Sequence, residues 1–183
     1  MRARIDIING LIDENGYKSY LEIGLGDGTH FNAVKAEQKI GVDPAYPNEG
    51  NIYGAESDTF FLANTQSFDL IFIDGLHHSR QVERDIVNSW KCLNKGGTIL
   101  IHDIKPKNYE EQVVPMGDYP TWTGDVWRAW NGLKKKYGTL NLDYIEEENG
   151  LGVIYKSRHK IELGFVDMVS TWEEYDQAKG WKV

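Results

Sequence analysis

The hydrophobic positions alternate between helical and strand-like spacing along the chain. Ile5, Ile8 and Ile12 recur at the helical period and stop at Gly16, a residue suited to the left-handed turn that closes a helix. Tyr20-Leu21-Glu22-Ile23 reads as a short strand entering Gly24-Leu25-Gly26-Asp27-Gly28, with a helix expected from Thr29 to about Glu37. A second strand, Lys39-Ile40-Gly41-Val42-Asp43, is stopped by Pro44. Leu70-Ile71-Phe72-Ile73 is uninterruptedly apolar, the pattern of a strand buried on both faces. Val82, Ile86, Trp90 and Leu93 make one apolar helix stripe, and Gly96-Gly97 then turns the chain into the buried strand Thr98–Ile101. This β-α-β-α-β rhythm predicts an α/β fold, a doubly wound, Rossmann-like sheet covered by helices on both faces.

Between Asp103 and Thr123 the periodicity disappears, and Pro106, Pro115 and Pro120 fall in this stretch. A structureless loop of such length inside a compact domain points to function or disorder, and residues 104–123 are taken as a substrate loop. A helix returns with Val126, Trp130, Leu133 and Tyr137 on one stripe, and Lys134-Lys135-Lys136 suits its cationic last turn. Leu140, Leu142 and Tyr144 then alternate, and Asn149-Gly150 signals a hairpin into Leu151–Tyr155, so the sheet should end in antiparallel strands. The tail, about 157–183, carries Trp172, Tyr175 and Trp181 and is expected to dock on the core.

A length of 183 residues fits a single domain, 1–183, whose cofactor-binding half would span about 17–103. The 20 Lys+Arg against 28 Asp+Glu give a net charge of −8, which argues against a nucleic-acid partner. The lone Cys92 rules out an internal disulfide framework. No apolar run approaches the roughly 18 residues of a membrane span, and Asp6, Asn9 and Asp13 interrupt any signal-peptide core. A cytoplasmic domain acting on a small molecule is the expectation, with the oligomeric state left open.

The glycine-rich turn separates cofactor classes. A dinucleotide site needs G-x-G-x-x-G facing a pyrophosphate. Here the spacing is Gly24-x-Gly26-x-Gly28, and Glu22 and Asp27 would repel a pyrophosphate while suiting a ligand with an ammonium and a sulfonium, such as S-adenosylmethionine (SAM). Asp43, at the end of the second strand, can accept hydrogen bonds from ribose hydroxyls. The alternative without a ligand is a tight turn with two solvated carboxylates.

On Leu21–Gly28, Gly41-Val42-Asp43, Phe68–His77 and Leu93–Asp103, the sequence resembles the class I SAM-dependent methyltransferases, over roughly residues 17–156. The Ile73-Asp74-Gly75-Leu76-His77 and His102-Asp103 strand ends resemble a branch of small methyltransferases found with sugar or natural-product O-methylation. The resemblance implies about seven strands with an antiparallel last strand. It also implies that Glu22, Gly24, Gly26 and Gly28 hold the methionine moiety, Asp43 the ribose, and Ser57 with Asp58 the adenine edge. Ser57-Asp58 could equally serve as a helix N-cap.

Asp74 and Asp103 end neighbouring strands, with His77 and His102 beside them. This set could act as a general base on an attacking hydroxyl, or hold a divalent cation such as Mg²⁺ on Asp74 and Asp103. Catechol-type O-methyltransferases add an Asn or Asp after the second carboxylate, and here that position is Ile104. The bland alternatives are that Asp74 caps the following helix and His102 is structural. Trp122 is a candidate substrate-stacking face, and Glu146-Glu147-Glu148 reads as a solvated hairpin end. The expected function is methyl transfer from SAM to a hydroxyl of a saccharide or related metabolite. A silent SAM-binding module and a nicotinamide-dependent oxidoreductase are the alternatives.

Overall fold

The computed structural model describes residues 3–138, 140–147, 149–156, 162–166 and 171–177. Its strands are β1 (Ser19–Ile23), β2 (Gln38–Val42), β3 (Ile52–Tyr53), β4 (Phe68–Ile73), β5 (Leu93–Ile101), β6 (Asn141–Ile145) and β7 (Leu151–Tyr155). They form one sheet in the order β3-β2-β1-β4-β5-β7-β6. The first five pair in parallel, and β7 runs antiparallel to both β5 and β6. The doubly wound sheet with an antiparallel end is therefore the one expected. Its strand order reverses between β1 and β4, which opens a crevice at their carboxyl ends.

Alternate residues of the central strands serve opposite faces. Tyr20, Leu70, Phe72 and Leu100 share a core with Ile7, Ile8 and Ile12 of α1 (Arg4–Asn15) and with Phe31 of α2 (Thr29–Ala33). Leu21, Ile23, Ile71, Ile73, Ile99 and Ile101 pack with α3 (Ser57–Ala63), α4 (Ser79–Cys92) and α5 (Val126–Lys136). Gly16 ends α1 at φ 65°, as its position suggests.

Helix α2 is shorter than expected, ending at Ala33 rather than near Glu37. Lys39 Nζ donates to the carbonyls of Phe31, Asn32 and Val34, so a lysine of the next strand closes the helix early. Leu93 lies outside α4 and opens β5, although its side chain still joins the core below the helix stripe. Lys156 Nζ donates to the carbonyls of Trp90 and Leu93 and caps that helix end from β7's far side. In the tail, α6 (Trp172–Gln177) docks as anticipated, with Tyr175 against Trp127 at 4.8 Å between ring centroids. Trp181 lies outside the described residues. Among the described residues no helix is long and apolar enough to cross a membrane.

Candidate active site at the strand ends

The glycine turn is shaped by β4. Asp74 N donates to Ile23 O at 2.8 Å, and a Cβ on Gly24 would sit 2.1 Å from the Asp74 carbonyl oxygen. With φ at +85°, only glycine lets the chain leave β1 over the end of β4. Gly26 faces open space, and Tyr46 donates its hydroxyl to Gly26 O at 3.1 Å. Asp43 braces the turn from the neighbouring strand: its Oδ2 accepts from Leu25 N at 2.9 Å and its Oδ1 from Ala45 N at 2.8 Å.

The two acids of the turn have different surroundings. Asp27 is exposed and accepts from Thr29 N at 2.9 Å, a bond that lowers its pKa and helps start α2. Glu22 is only 2% exposed and accepts the Tyr20 hydroxyl at 2.6 Å. Desolvation pushes its carboxyl up to about 7, against the opposing Tyr20 bond and the Arg4 charge.

Ser57 is the first residue of α3 and does not cap it; Glu56 holds the cap position. Its hydroxyl instead donates to Asp85 Oδ1 at 2.6 Å, and burial pushes Asp85 up to about 6. Asp58 pairs with Arg84 at 3.0 Å. A cleft of about 450 Å³ beside α3 and α4 is lined by Asp58, Phe61 and Asn88 but by none of the other anticipated residues.

The remaining four candidates do converge. Asp74 follows β4 and Asp103 follows β5, the latter in the left-handed region at φ 61°, a conformation that Asp tolerates better than most residues. His102 Nδ1 lies 3.1 Å from Asp74 Oδ1 and 3.2 Å from Asp103 Oδ1. His77 spans the same pair, with Nδ1 3.2 Å from Asp103 Oδ2 and Nε2 3.4 Å from Asp74 Oδ1. Burial opposes charge on each group, but the ion pairs win. Asp74 is held well below the usual carboxylate range by His102, His77 and Arg4. His77 is raised by Asp74 and Asp103, and His102 is pushed up to about 11 by Asp103, Asp74 and Glu147. Asp74 does not cap α4, because Asp125 does: it accepts from Ser79 N at 2.6 Å and Ser79 Oγ at 2.8 Å.

Two members of this cluster escaped the sequence reading. Glu147 is not at a solvated hairpin end; it is 7% exposed, with Oε2 3.2 Å from His102 Nε2. Its neighbour Glu146 is exposed and pairs with Lys105, and Glu148 lies outside the described residues. Arg4, in the first turn of α1, places Nη1 2.7 Å from Asp74 Oδ2 and Nε 3.6 Å from Glu147 Oε1.

The loop after Asp103 is organised by buried Glu111, which accepts from Lys107 N at 2.7 Å and Thr121 Oγ1 at 2.6 Å. That fold lays Trp122 on His77 with ring centroids 5.3 Å apart and planes 26° from parallel. Trp122 also donates its indole N–H to Val113 O at 2.7 Å. The ring anticipated as a substrate platform thus covers the imidazole.

Asp74, His102 and Asp103 each offer a ligand atom, all within 4.8 Å of one another. The set does not fit Mg²⁺, which prefers six oxygens in octahedral array. One donor is an imidazole, Ile104 is a buried hydrocarbon where a third oxygen would be needed, and Arg4 already holds Asp74.

The chain belongs to a methyltransferase domain family, whose model matches residues 12–104, just over half of the sequence. Solved structures share its fold. The O-methyltransferase from Bacillus cereus, in complex with SAH, is 13% identical over 84% of this chain and 80% of that one, with a TM-score of 0.62. TomG from Streptomyces achromogenes, an O-methyltransferase of tomaymycin synthesis in complex with SAM, is 11% identical over 84% and 79%, at 0.63. The N-methyltransferase NodS from Bradyrhizobium japonicum is 13% identical over 85% and 93%, at 0.53. No curated protein matches the chain.

Proposed function

We propose that this methyltransferase moves the methyl group of SAM to a hydroxyl of a small molecule, a saccharide or related polyhydroxy metabolite. The observation that carries the reading is the pairing of an acidic glycine turn, open at Gly26, with a His–Asp cluster at the adjoining strand ends. The solved relatives named above with SAM or SAH bound share this fold. In this reading Gly26, which faces open space, admits the methionine chain between Gly24 and Gly28, Glu22 pairs with the ammonium, and Asp43 receives the ribose hydroxyls. Ser57 and Asp58 are assigned in this reading to the adenine edge. When bound, SAM supplies an already activated methyl group, so the protein's tasks are positioning and proton removal.

His77 is the base in this reading. Its Nδ1 faces Asp103 and the Trp122 carbonyl, while Nε2 is 3.4 Å from Asp74, too long for a well-made hydrogen bond. That nitrogen can take the proton of an attacking hydroxyl. His102 is 6% exposed and enclosed by carboxylates at both nitrogens, so it orients Asp74 and Asp103 instead. The test is transfer of labelled methyl from SAM to a panel of sugars, phenols and amines. Labelling confined to amines would overturn the hydroxyl assignment, and NAD binding without any response to S-adenosylhomocysteine would overturn the cofactor.

A further inference from the structure

We propose that Arg4 is the built-in cation of the transfer site, holding the position between Asp74 and Glu147 that a divalent ion would otherwise fill. The inference rests on the methyltransferase reading for its purpose, but its geometry stands alone. Nη1 is 2.7 Å from Asp74 Oδ2 and Nε is 3.6 Å from Glu147 Oε1, while Nη2 stands 2.9 Å from His102 Nε2, a close approach of two cations that the surrounding acids offset. The side chain is 16% exposed, and its guanidinium carbon stands 5.8 Å from the Phe72 ring centroid. Ile7, Ile8 and Ile12 lock α1 onto the sheet, so Arg4 is delivered by an anchored helix and not by a loose terminus.

Nothing in α1 itself accounts for this residue. A cation in the first turn faces the positive end of the helix dipole, an unfavourable place. The compensation comes from the acids it meets across the sheet's carboxyl edge. Those acids need a cation: Asp74, Asp103 and Glu147 lie around one imidazole in a poorly solvated pocket. Guanidinium suits the task, because its fixed fork reaches two groups at once and stays charged at every working pH. A divalent ion on Asp74 would stand against that fork, and only with the fork gone could Asp74, His102 and Asp103 turn to one together. Arg4 is thus a positioning residue, which acts on the reaction through Asp74 and His102.

The test uses the full chain and Mn²⁺ alone, with free Mn²⁺ read by electron paramagnetic resonance and folding checked by circular dichroism. The wild type is expected to take up no Mn²⁺ at submillimolar concentration. Arg4→Ala is expected to gain one Mn²⁺ per chain, and Arg4→Ala with Asp74→Asn to lose it again. Arg4→Lys, which keeps a charge but not the fork, should fold and still exclude the metal. Stoichiometric Mn²⁺ uptake by the wild type, abolished by Asp74→Asn, would overturn the proposal. So would a folded Arg4→Ala that gains no site. If Arg4→Ala does not fold, the wild-type titration decides. S-adenosylhomocysteine binding, measured on the same wild-type sample, reports separately on the methyltransferase reading.

Discussion

The proposed seat of the donor ammonium at Glu22 predicts that cofactor binding is coupled to a proton. The Glu22 carboxyl titrates near 7 in the folded protein, against 4.5 for the free side chain. Between those values the native state holds a proton that the unfolded chain has released. Stability therefore falls as pH rises across that window, by about 3 kcal/mol in all at about 1.4 kcal/mol per pKa unit. A donor ammonium seated beside Glu22 reverses the preference, because it favours the carboxylate. Binding must then expel the proton. At pH 6 most of a proton should leave per ligand bound, and progressively less as the pH rises past about 7. Affinity should drop towards tenfold per unit below pH 6, while the ligand's own amine stays charged below its value of about 8. Isothermal calorimetry of S-adenosylhomocysteine in buffers of different ionisation enthalpy measures this number directly. Glu22→Gln should erase the proton release, weaken binding and flatten the fall in melting temperature between pH 5 and 7. Zero proton release at pH 6 would refute the placement of the ammonium at Glu22.

Asp43→Ala should weaken S-adenosylhomocysteine by about 1–3 kcal/mol in the same calorimeter, the usual loss of a charged hydrogen-bond partner; unchanged affinity would remove Asp43 from the site. His77→Ala should lower turnover at least about a hundredfold, and the wild-type rate should rise through a step above 6.5, since Asp74 and Asp103 raise this imidazole. A step below 6.5, or complete inhibition by a chelator reversed by Mg²⁺, would contradict that role. His102 has its folded pKa raised, so its share of stability is present in full below 6.5 and is lost as pH climbs toward about 11. Melting temperature from pH 7 to 11 should fall more steeply in the wild type than in His102→Asn. Gly24→Ala should cost about 3 kcal/mol or more through strain and clash with the Asp74 carbonyl, read as a lowered denaturant midpoint.

The sheet was legible because its strands announce themselves: continuous runs such as Leu70–Ile73 and Ile99–Ile101 can be satisfied only by burial on both faces. The strand-end acids were legible for a related reason, since parallel topology brings the residue after each central strand to one edge. Other features depended on side chains reaching across the fold. Lys39 ends α2 and Lys156 ends α4 by long-range capping, which no local pattern announces. Arg4 gives no signal beyond its place before an apolar stripe. Glu147 was hidden in an acidic run whose composition suggests solvent, and only the register of the β6–β7 turn carries it inward. The Ser57–Asp85 bond is likewise invisible without knowing how α3 meets α4.

The span between Arg4 and Glu147 has a consequence for the order in which the protein matures during synthesis. The two residues meet at 3.6 Å although 143 positions separate them (147 − 4). A ribosome that has released the chain only just past Asp103 has already made the glycine turn, Asp74 and Asp103, but not Glu147. The nascent chain at that stage carries Arg4 and Asp74 without the acid that completes their cluster. Closure of the hairpin is then the step that completes the charged cluster, and Leu151 and Val153 of β7 add the last buried apolar partners to the core that holds α1. A stalled chain cut before the β6–β7 turn should accordingly hold α1 more loosely than the full-length protein, with faster amide exchange at Ile7 and Ile8.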